Sequence, residues 1–390
     1  MQPRILASAI YFLYFGAGGA LSPYLNLYYQ TVGISKQQIG FLIAAATLMN
    51  VLSSPIWSAI ADAFNLHRYL LPLAMFGTAI PVALLMQSSE FWALLLLVIV
   101  YAFFAGPIVP LTDNAVLDML GDERDRYGRL RVWGAVGFGA SAWGAGVLAE
   151  NLGMGAIFIV FIVFMSLCGL LATQLPPVQI KVPESYLRNL RRLSTNWTWL
   201  AFLGAILMVG ITTSLFHSYY VLYMTDLGAS ESLYGLSVAI AGITELPVFF
   251  FSAVLIRRLS PRGLLMIAFV AFALRSFLVS IISDPYMAIL PQLLHGLSFS
   301  AMWTASVVYV SQIVPTGLGA TAQASLGLVT FGLSGVIGGL VGASIYENFG
   351  AATLFRIGGM SALVGLVVLI AIEMHSRYTK RVSLSQAGSD

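Results

Sequence analysis

The sequence predicts an all-α membrane protein of twelve transmembrane helices, arranged as two parallel six-helix repeats. Three observations support this prediction. Charged residues are scarce, apolar stretches alternate with loops whose basic residues fall mainly on one side, and the two halves of the chain resemble each other.

The composition indicates that much of the surface of this protein faces lipid rather than water. Of its 390 residues, 59% are apolar and only 9% are charged, whereas a soluble domain has roughly 25% charged residues. The single cysteine, Cys168, lies in an apolar stretch, which excludes a disulfide framework or a cysteine metal site. The first apolar stretch is too long for a cleavable signal peptide and leads directly into a membrane-type pattern.

Twelve stretches are apolar enough to be membrane helices, which need about 20 such residues. Breaks at polar residues, glycines and prolines place them near 5–29, 37–61, 69–88, 91–119, 128–149, 154–174, 198–225, 232–256, 262–282, 286–312, 319–346 and 351–374. The longest polar stretch separates the sixth from the seventh. The predicted organisation is an N-terminal six-helix bundle (1–174), a cytoplasmic linker (175–197), a C-terminal six-helix bundle (198–376) and a cytoplasmic tail (377–390).

The basic residues predict the orientation of these helices. Clusters at 124–129, 188–192 and 257–262 all fall on the side of the N-terminus, whereas Lys36 and Arg356 fall on the opposite side. Cytoplasmic loops are enriched in Lys and Arg. Both termini are therefore predicted to be cytoplasmic, in a plasma or inner cell membrane.

An internal repeat relates the two halves. The segment 24–33 aligns with 219–228 at a shift of 195 residues, and the match continues with Gly40 on Gly235. Near the end of each half, Glu-Asn-Leu-Gly at 150–153 aligns with Glu-Asn-Phe-Gly at 347–350, at a shift of 197. A repeat of six spans preserves orientation, so the halves are parallel, and a substrate site is expected near the midplane between them.

Ionisable residues inside membrane helices are costly, which makes each one a functional candidate. Six positions qualify in the predicted helices: Asp113, Arg131, His217, Glu245, Arg275 and His295. With a rise of 1.5 Å per residue, Asp113 lies about 10 Å and Arg131 about 5 Å from the inner ends of adjacent helices. They are expected to be close enough for an ion pair or for joint contact with hydroxyl groups of a substrate. A purely structural pair is the alternative.

Glu245 lies two residues before Pro247, in the middle of the eighth predicted helix. A desolvated carboxyl group there can load and release a proton, as a proton-coupled carrier requires. Arg275 has no acid nearby in sequence, so Glu245 on the preceding helix is its expected partner. His295 can titrate in a useful range or be a satisfied core histidine.

Aromatic side chains accompany these groups. Tyr11 and Tyr14 in the first helix could stack on a sugar ring or an aromatic solute, with ordinary packing as the alternative. No phosphate-binding glycine loop is present, and the four histidines are too scattered for a metal site. We therefore expect no cofactor, no metal and no direct coupling to ATP.

The segments 107–113 (PIVPLTD) and 127–137 (YGRLRVWGAVG) closely resemble the helix 4–5 hairpin of the phenylpropionate-permease-like branch of the major facilitators. That branch is distantly related to the lactose permease and other oligosaccharide:proton symporters. The resemblance extends to Glu245, Arg275 and the stretch 292–295 (QLLH). Between the second and third helices, Ser58–Asp62 through Arg68 resembles the gating motif of the superfamily, with serine where glycine is usual.

This resemblance implies roles for particular residues. Asp113 and Arg131 match the galactoside-binding acid and arginine of the lactose permease, and Phe138 matches its sugar-stacking tryptophan. In the same protein, the acid of helix 8 is matched by Glu245, the sugar-contacting histidine by His295 and the arginine of helix 9 by Arg275.

Departures from the pattern matter as well. Ser298 replaces the proton-carrying glutamate, Gln292 the neighbouring lysine and Val248 a sugar-binding asparagine. If protons are coupled, Asp113 or Glu245 must carry them.

The predicted function is that of a secondary active transporter, a proton symporter for a small polar organic solute. Sugars or glycosides come first and aromatic acids second, with alternating access as the mechanism. The alternatives are a proton-driven exporter of amphipathic compounds and a non-transporting membrane receptor. The expected partners are the solute, protons and the bilayer, without nucleic acid, and the chain is expected to act as a monomer.

Overall fold

The structure is a computed structural model that describes residues 3–64, 69–121, 127–175, 186–315 and 318–387. These residues form helices without a β-strand, which confirms the all-α prediction. Ten of the helical segments are long and apolar enough to cross a membrane. The shorter apolar helix Leu70–Leu85 and the division of the last segment at Gly350 bring the described membrane helices to twelve.

In the part of the N-terminal half that the structure describes there are six membrane helices, of which the first is interrupted at 22–24 and the fourth at 106–107. They are α1 (Arg4–Thr31), α2 (Lys36–Phe64), α3 (Leu70–Leu85), α4 (Phe91–Leu120), α5 (Tyr127–Leu152) and α6 (Gly155–Ala172).

The linker includes a short helix, Tyr186–Leu193, and six more membrane helices follow it. They are α7 (Trp197–Asp226), α8 (Glu231–Phe250, continued through 252–259), α9 (261–281), α10 (Met287–Ile313), α11 (319–349) and α12 (351–387). Ser260, with φ of 61°, separates α8 from α9 just before Pro261.

Glycines with positive φ end repeat-related helices at equivalent positions. Gly33 and Gly228 have φ of 87° and 84°, and Gly153 and Gly350 have φ of 87° and 80°. Glycine adopts this region without the steric cost that a side chain brings. The sequence repeat therefore marks the same turns in the two halves.

The repeat extends to the contacts that hold the halves together. The Tyr24 hydroxyl donates to the carbonyl of Ala142 on α5 at 2.6 Å, and the Tyr219 hydroxyl donates to that of Gly339 on α11 at 2.5 Å. Each carbonyl lies against a glycine of the other half. A Cβ on Gly235 would lie 2.6 Å from the Ala142 oxygen, and one on Gly40 would lie 2.5 Å from the Gly339 oxygen. The halves thus cross at two pseudo-equivalent pairs, α5–α8 and α2–α11.

We call the end that holds both termini the inner end and the opposite one the outer end. At the outer end the halves are joined by polar contacts as well as by the glycine crossings. Asn26 donates to the Ser218 carbonyl at 2.8 Å, and Lys36 forms a 3.5 Å ion pair with Asp226. Tyr346 also donates to Asp226, at 2.7 Å. These contacts close the outer end.

Candidate substrate-binding site

The N-terminal half contributes a cluster built on α1, α4 and α5. The Tyr11 hydroxyl donates to Oδ1 of Asp113 at 2.7 Å, and Arg131 Nη1 lies 3.8 Å from the same oxygen. The guanidinium also lies over the Phe15 ring, with 4.6 Å between Cζ and the ring centroid. The structure thus brings Asp113 and Arg131 together, as their positions on adjacent helices predicted.

This cluster keeps hydrogen-bonding capacity for a ligand. The Asp113 side chain is 24% exposed and that of Arg131 is 35% exposed. At 3.8 Å their contact is an ion pair rather than a hydrogen bond, and Arg131 Nη1 has no hydrogen-bond partner among the described residues. Nη1 itself is buried, so a solute hydroxyl or carboxylate would accept from the exposed part of the guanidinium.

The C-terminal half contributes a chain of polar side chains from α8, α9 and α10. His295 Nε2 lies 2.8 Å from Glu245 Oε1, and His295 Nδ1 lies 2.8 Å from Arg275 Nη1. Arg275 Nη2 donates to Gln292 Oε1. Arg275 is buried, and its Cζ lies 4.0 Å from the centroid of the Phe216 ring on α7.

The order of donors in this chain follows from the chemistry of arginine. A guanidinium can only donate, so His295 Nδ1 must accept from it and carry no proton. The proton of a neutral His295 is therefore on Nε2, which donates to the Glu245 carboxylate. The buried Arg275 charge is balanced by Glu245 through the imidazole between them.

This geometry corrects one expectation from the sequence. Arg275 was expected to pair directly with Glu245, but His295 separates them because it lies on α10 between α8 and α9. Gln292, which stands where the resemblance expects a lysine, is an acceptor for Arg275. The sequence 292–295 (QLLH) already indicates that Gln292 and His295 can contact the same partner, since residues three apart share a helix face.

The other predicted residues occupy different surroundings. Tyr11 is fully buried, so it presents no ring face to a solute and instead positions Asp113. Tyr14 is half-buried and meets Phe15 edge-on, with 5.0 Å between ring centroids. Phe138 is half-buried, one turn before Ala142 at the α5–α8 crossing.

The remaining predictions concern gating, metals and one further histidine. The Asp62 side chain and Arg68 lie outside the described residues. Within the part of the chain that the structure describes, no group of three or more His, Cys, Asp or Glu could hold a metal ion. His217 on α7 is exposed and follows Phe216, the residue that stacks on Arg275.

Comparisons with known proteins agree with this architecture. The MFS_1 like family matches residues 5–357. The maltose permease of Geobacillus stearothermophilus is 24% identical over 94% of this chain and 94% of its own. The probable 3-phenylpropionic acid transporter of Escherichia coli K12 is 26% identical over 77% of this chain and 80% of its own.

Solved structures show the same fold. A crystal structure of the nucleoside transporter NupG superposes with a TM-score of 0.84 at 18% identity, covering 95% of this chain and 99% of that chain. The family match spans most of the sequence, from α1 through α11 and into the start of α12. The chain therefore belongs to the MFS_1 like family of the major facilitator superfamily and is a multi-span membrane transporter.

Proposed function

We propose that this protein is a proton-coupled symporter of a small polar organic solute that works by alternating access. Sugars and glycosides, nucleosides among them, are the first substrate class, and aromatic acids are the second. The observation that carries the proposal is the pair of partly exposed polar clusters, one in each half.

Both clusters suit a hydroxyl-bearing solute. The Asp113 carboxylate accepts hydrogen bonds and the Arg131 guanidinium donates them, and hydrogen bonds with an ionised partner are the strong ones. In the other half the Glu245 carboxylate accepts hydrogen bonds in the same way, and the side chains of Glu245 and His295 are 23% and 20% exposed. A solute that contacts both halves would favour the state in which the halves close around it, which alternating access requires.

The arrangement around His295 supports proton coupling through Glu245. Protonation of the carboxyl group removes the negative charge that balances Arg275 and weakens the hydrogen bond from His295 Nε2. The imidazole and guanidinium are then free to reorient toward a solute. Asp113 is the second candidate, because protonation would weaken its contact with Arg131 and free that guanidinium.

The names of relatives are consistent with these substrate classes. They include a maltose permease, a probable 3-phenylpropionic acid transporter and a nucleoside transporter. For this protein we propose that the inner end faces the cytoplasm of a plasma or inner membrane. We also propose that the chain acts as a monomer, since each chain contains both clusters.

The test is substrate-induced proton movement in proteoliposomes of the purified protein, followed with a pH-sensitive dye. A panel of mono- and disaccharides, nucleosides and aromatic acids is added outside. External alkalinisation with one class, lost in Asp113→Asn or Glu245→Gln, is the expected result. Glu90→Gln is the matched control, because Glu90 is exposed at the outer end and should leave the flux unchanged.

Two other results would change the proposal. Substrate binding without proton movement would exclude proton coupling and indicate uniport or another ion. External acidification on adding an amphipathic compound, together with drug sensitivity of cells that carry Asp113→Asn, would favour the proton-driven exporter.

A further inference from the structure

Among the described residues of the C-terminal half, two membrane helices contain a π-helical turn. They are Gly296–Ser300 in α10 and Leu328–Leu333 in α11. The repeat-related segments, near 100–105 in α4 and 131–138 in α5, lie in α-helix. Since the N-terminal half builds the same architecture with α-helix at these positions, the fold does not require the π turns. Single π-helical turns occur frequently at functional sites.

These turns bring together four rings that we call the aromatic wall: His295, Phe299, Trp303 and Phe331. The His295 and Phe299 rings are nearly parallel, at 3°, with centroids 5.7 Å apart. Phe331 from α11 lies 6.2 Å from Phe299 and 5.4 Å from Trp303, tilted by 57° and 47°. Each π turn therefore supplies one of the two rings that meet between α10 and α11.

The aromatic wall continues from the polar site toward the inner end. His295 belongs to both, because its nitrogens contact Glu245 and Arg275 while its ring stacks on Phe299. Phe331 is 49% exposed. It precedes Gly332, where a Cβ would meet Val51 of α2 at 3.0 Å across the boundary between the halves.

We propose that the aromatic wall is a subsite for a planar aromatic ring carried by the polar solute. The transported compound would then combine a hydroxylated part with an aromatic part, as an aryl glycoside or a nucleoside does. The inference rests on the proposed function and narrows its substrate class. The hydroxylated part lies at Asp113, Arg131 and Glu245, and the planar part lies on Phe299 and Phe331.

The tilt of the rings is the physical reason for this choice. Aromatic rings attract one another in offset-stacked or edge-to-face arrangements. Since Phe299 and Phe331 are tilted by 57°, a flat ring can stack on one and meet the edge of the other. A saturated sugar ring can place its C–H groups on one aromatic face, but it has no π face or aromatic edge with which to meet both rings. The adjacent polar chain would orient the solute so that only its planar part reaches the wall.

The test compares paired ligands that differ only in the planar group: phenyl glucoside against methyl glucoside, and uridine against ribose. Binding is measured on the purified full chain, with 3-phenylpropionate as a planar ligand without a sugar. In Phe331→Leu and Phe299→Leu we expect about tenfold weaker binding of the planar member, as loss of an aromatic pair predicts. Binding of the ligand that lacks the planar group should change less than twofold.

Two controls separate the ring from general damage. Phe331→Tyr retains the aromatic face and should retain the preference for the planar ligand. Phe349→Leu removes an exposed ring at the outer end of α11 and should leave both ligands unchanged. Because Phe331 is half exposed, its leucine variant should fold even if Phe299→Leu does not.

The remaining outcomes distinguish the subsite proposal from the transporter proposal. Equal losses for both members of a pair, or none for either, would overturn the subsite while leaving the transporter proposal intact. Binding of 3-phenylpropionate alone, weakened by Phe331→Leu, would support the subsite and overturn recognition of hydroxyl groups. If no ligand of the panel binds to the wild-type protein, both proposals fail.

Discussion

The Gly296 backbone lies directly against that of Thr244 where α10 crosses α8. The Gly296 amide donates to the Thr244 hydroxyl at 3.0 Å, and a Cβ on Gly296 would meet the Thr244 carbonyl oxygen at 1.9 Å. The next residue on α8 is Glu245 and the preceding one on α10 is His295. This close approach therefore sets the distance across which those two side chains bond.

Gly296→Ala should separate α8 from α10, because neither backbone can absorb a contact of 1.9 Å. Inserting a methyl group into a packed site costs about 2 kcal/mol. We expect a melting temperature lower by several degrees and substrate transport reduced at least tenfold, measured on purified protein and in proteoliposomes.

Gly242→Ala is the matched control for this change. Gly242 lies on α8, and a Cβ there meets nothing within 4 Å, so alanine should be neutral or slightly stabilising through its higher helix propensity. Equal effects of the two substitutions would show that the Gly296 contact is not specific.

The planar guanidinium of Arg275 makes several contacts at once. Two nitrogens donate to different side chains, Gln292 and His295, while the plane stacks on Phe216. A lysine ammonium is a point charge that cannot reproduce this fork or its stacking.

Arg275→Lys should therefore reduce transport at least tenfold and lower thermal stability, although it preserves the charge. Arg258→Lys, at an exposed position near the inner end of α8, should change neither quantity. Uptake assays with both variants provide the measurement. Normal transport by Arg275→Lys would mean that the charge alone is sufficient.

At the scale of helices, the glycine crossings let α5 approach α8 and α2 approach α11. The Tyr24 hydroxyl occupies the space beside Gly235 that a Cβ would need, at 2.3 Å. Small residues at membrane helix interfaces allow backbones to come this close. The same crossings must separate when the outer end opens, so they should affect conformation as well as stability.

Gly235→Ala and Gly40→Ala should each hinder closure of the outer end, since the added Cβ would meet a carbonyl oxygen of the other half at 2.6 and 2.5 Å. Spin labels at the exposed positions Ser89 and Glu347, one in each half, would report this as a longer distance. Gly144→Ala on α5, with nothing within 4 Å of its Cβ, should leave the distance unchanged. An unchanged distance in both test variants would contradict the role of the crossings.

For the whole molecule, closure at the outer end combines packing with charge. Lys36 of one half pairs with Asp226 of the other and also lies 4.0 Å from the centroid of the Tyr346 ring. Both charged side chains are partly exposed, at 26% and 41%. Such a pair contributes at most about 1 kcal/mol. That is enough to change the ratio of molecules closed at the outer end to molecules open there several-fold.

Asp226→Asn retains an acceptor for the Tyr346 hydroxyl but removes the charge facing Lys36. We expect the population open at the outer end to rise several-fold, seen with the same labels at Ser89 and Glu347. High salt should have a similar effect on the wild-type protein and little effect on the variant, because screening weakens exposed pairs. A variant that responds to salt as strongly as the wild type would argue against this pair.

The sequence by itself determined the twelve helices, the two related halves, the equivalent turns at Gly153 and Gly350, and the proximity of Asp113 to Arg131. Hydropathy, repetition and position along adjacent helices are linear properties, and they can be obtained from the residues alone. The resemblance to a transporter family was carried by the motifs at 107–113 and 127–137, and the family match over residues 5–357 confirmed it.

Only the tertiary structure decided that His295 lies between Arg275 and Glu245, that Tyr11 is buried against Asp113, and that the outer end is closed. It also revealed the π-helical turns that bring Phe299 to Phe331. Each of these depends on the rotation of helices about their axes and on the distance at which they cross. Both are set by contacts between residues far apart in the chain, such as that of Gly296 with Thr244, and no local pattern of the sequence encodes them.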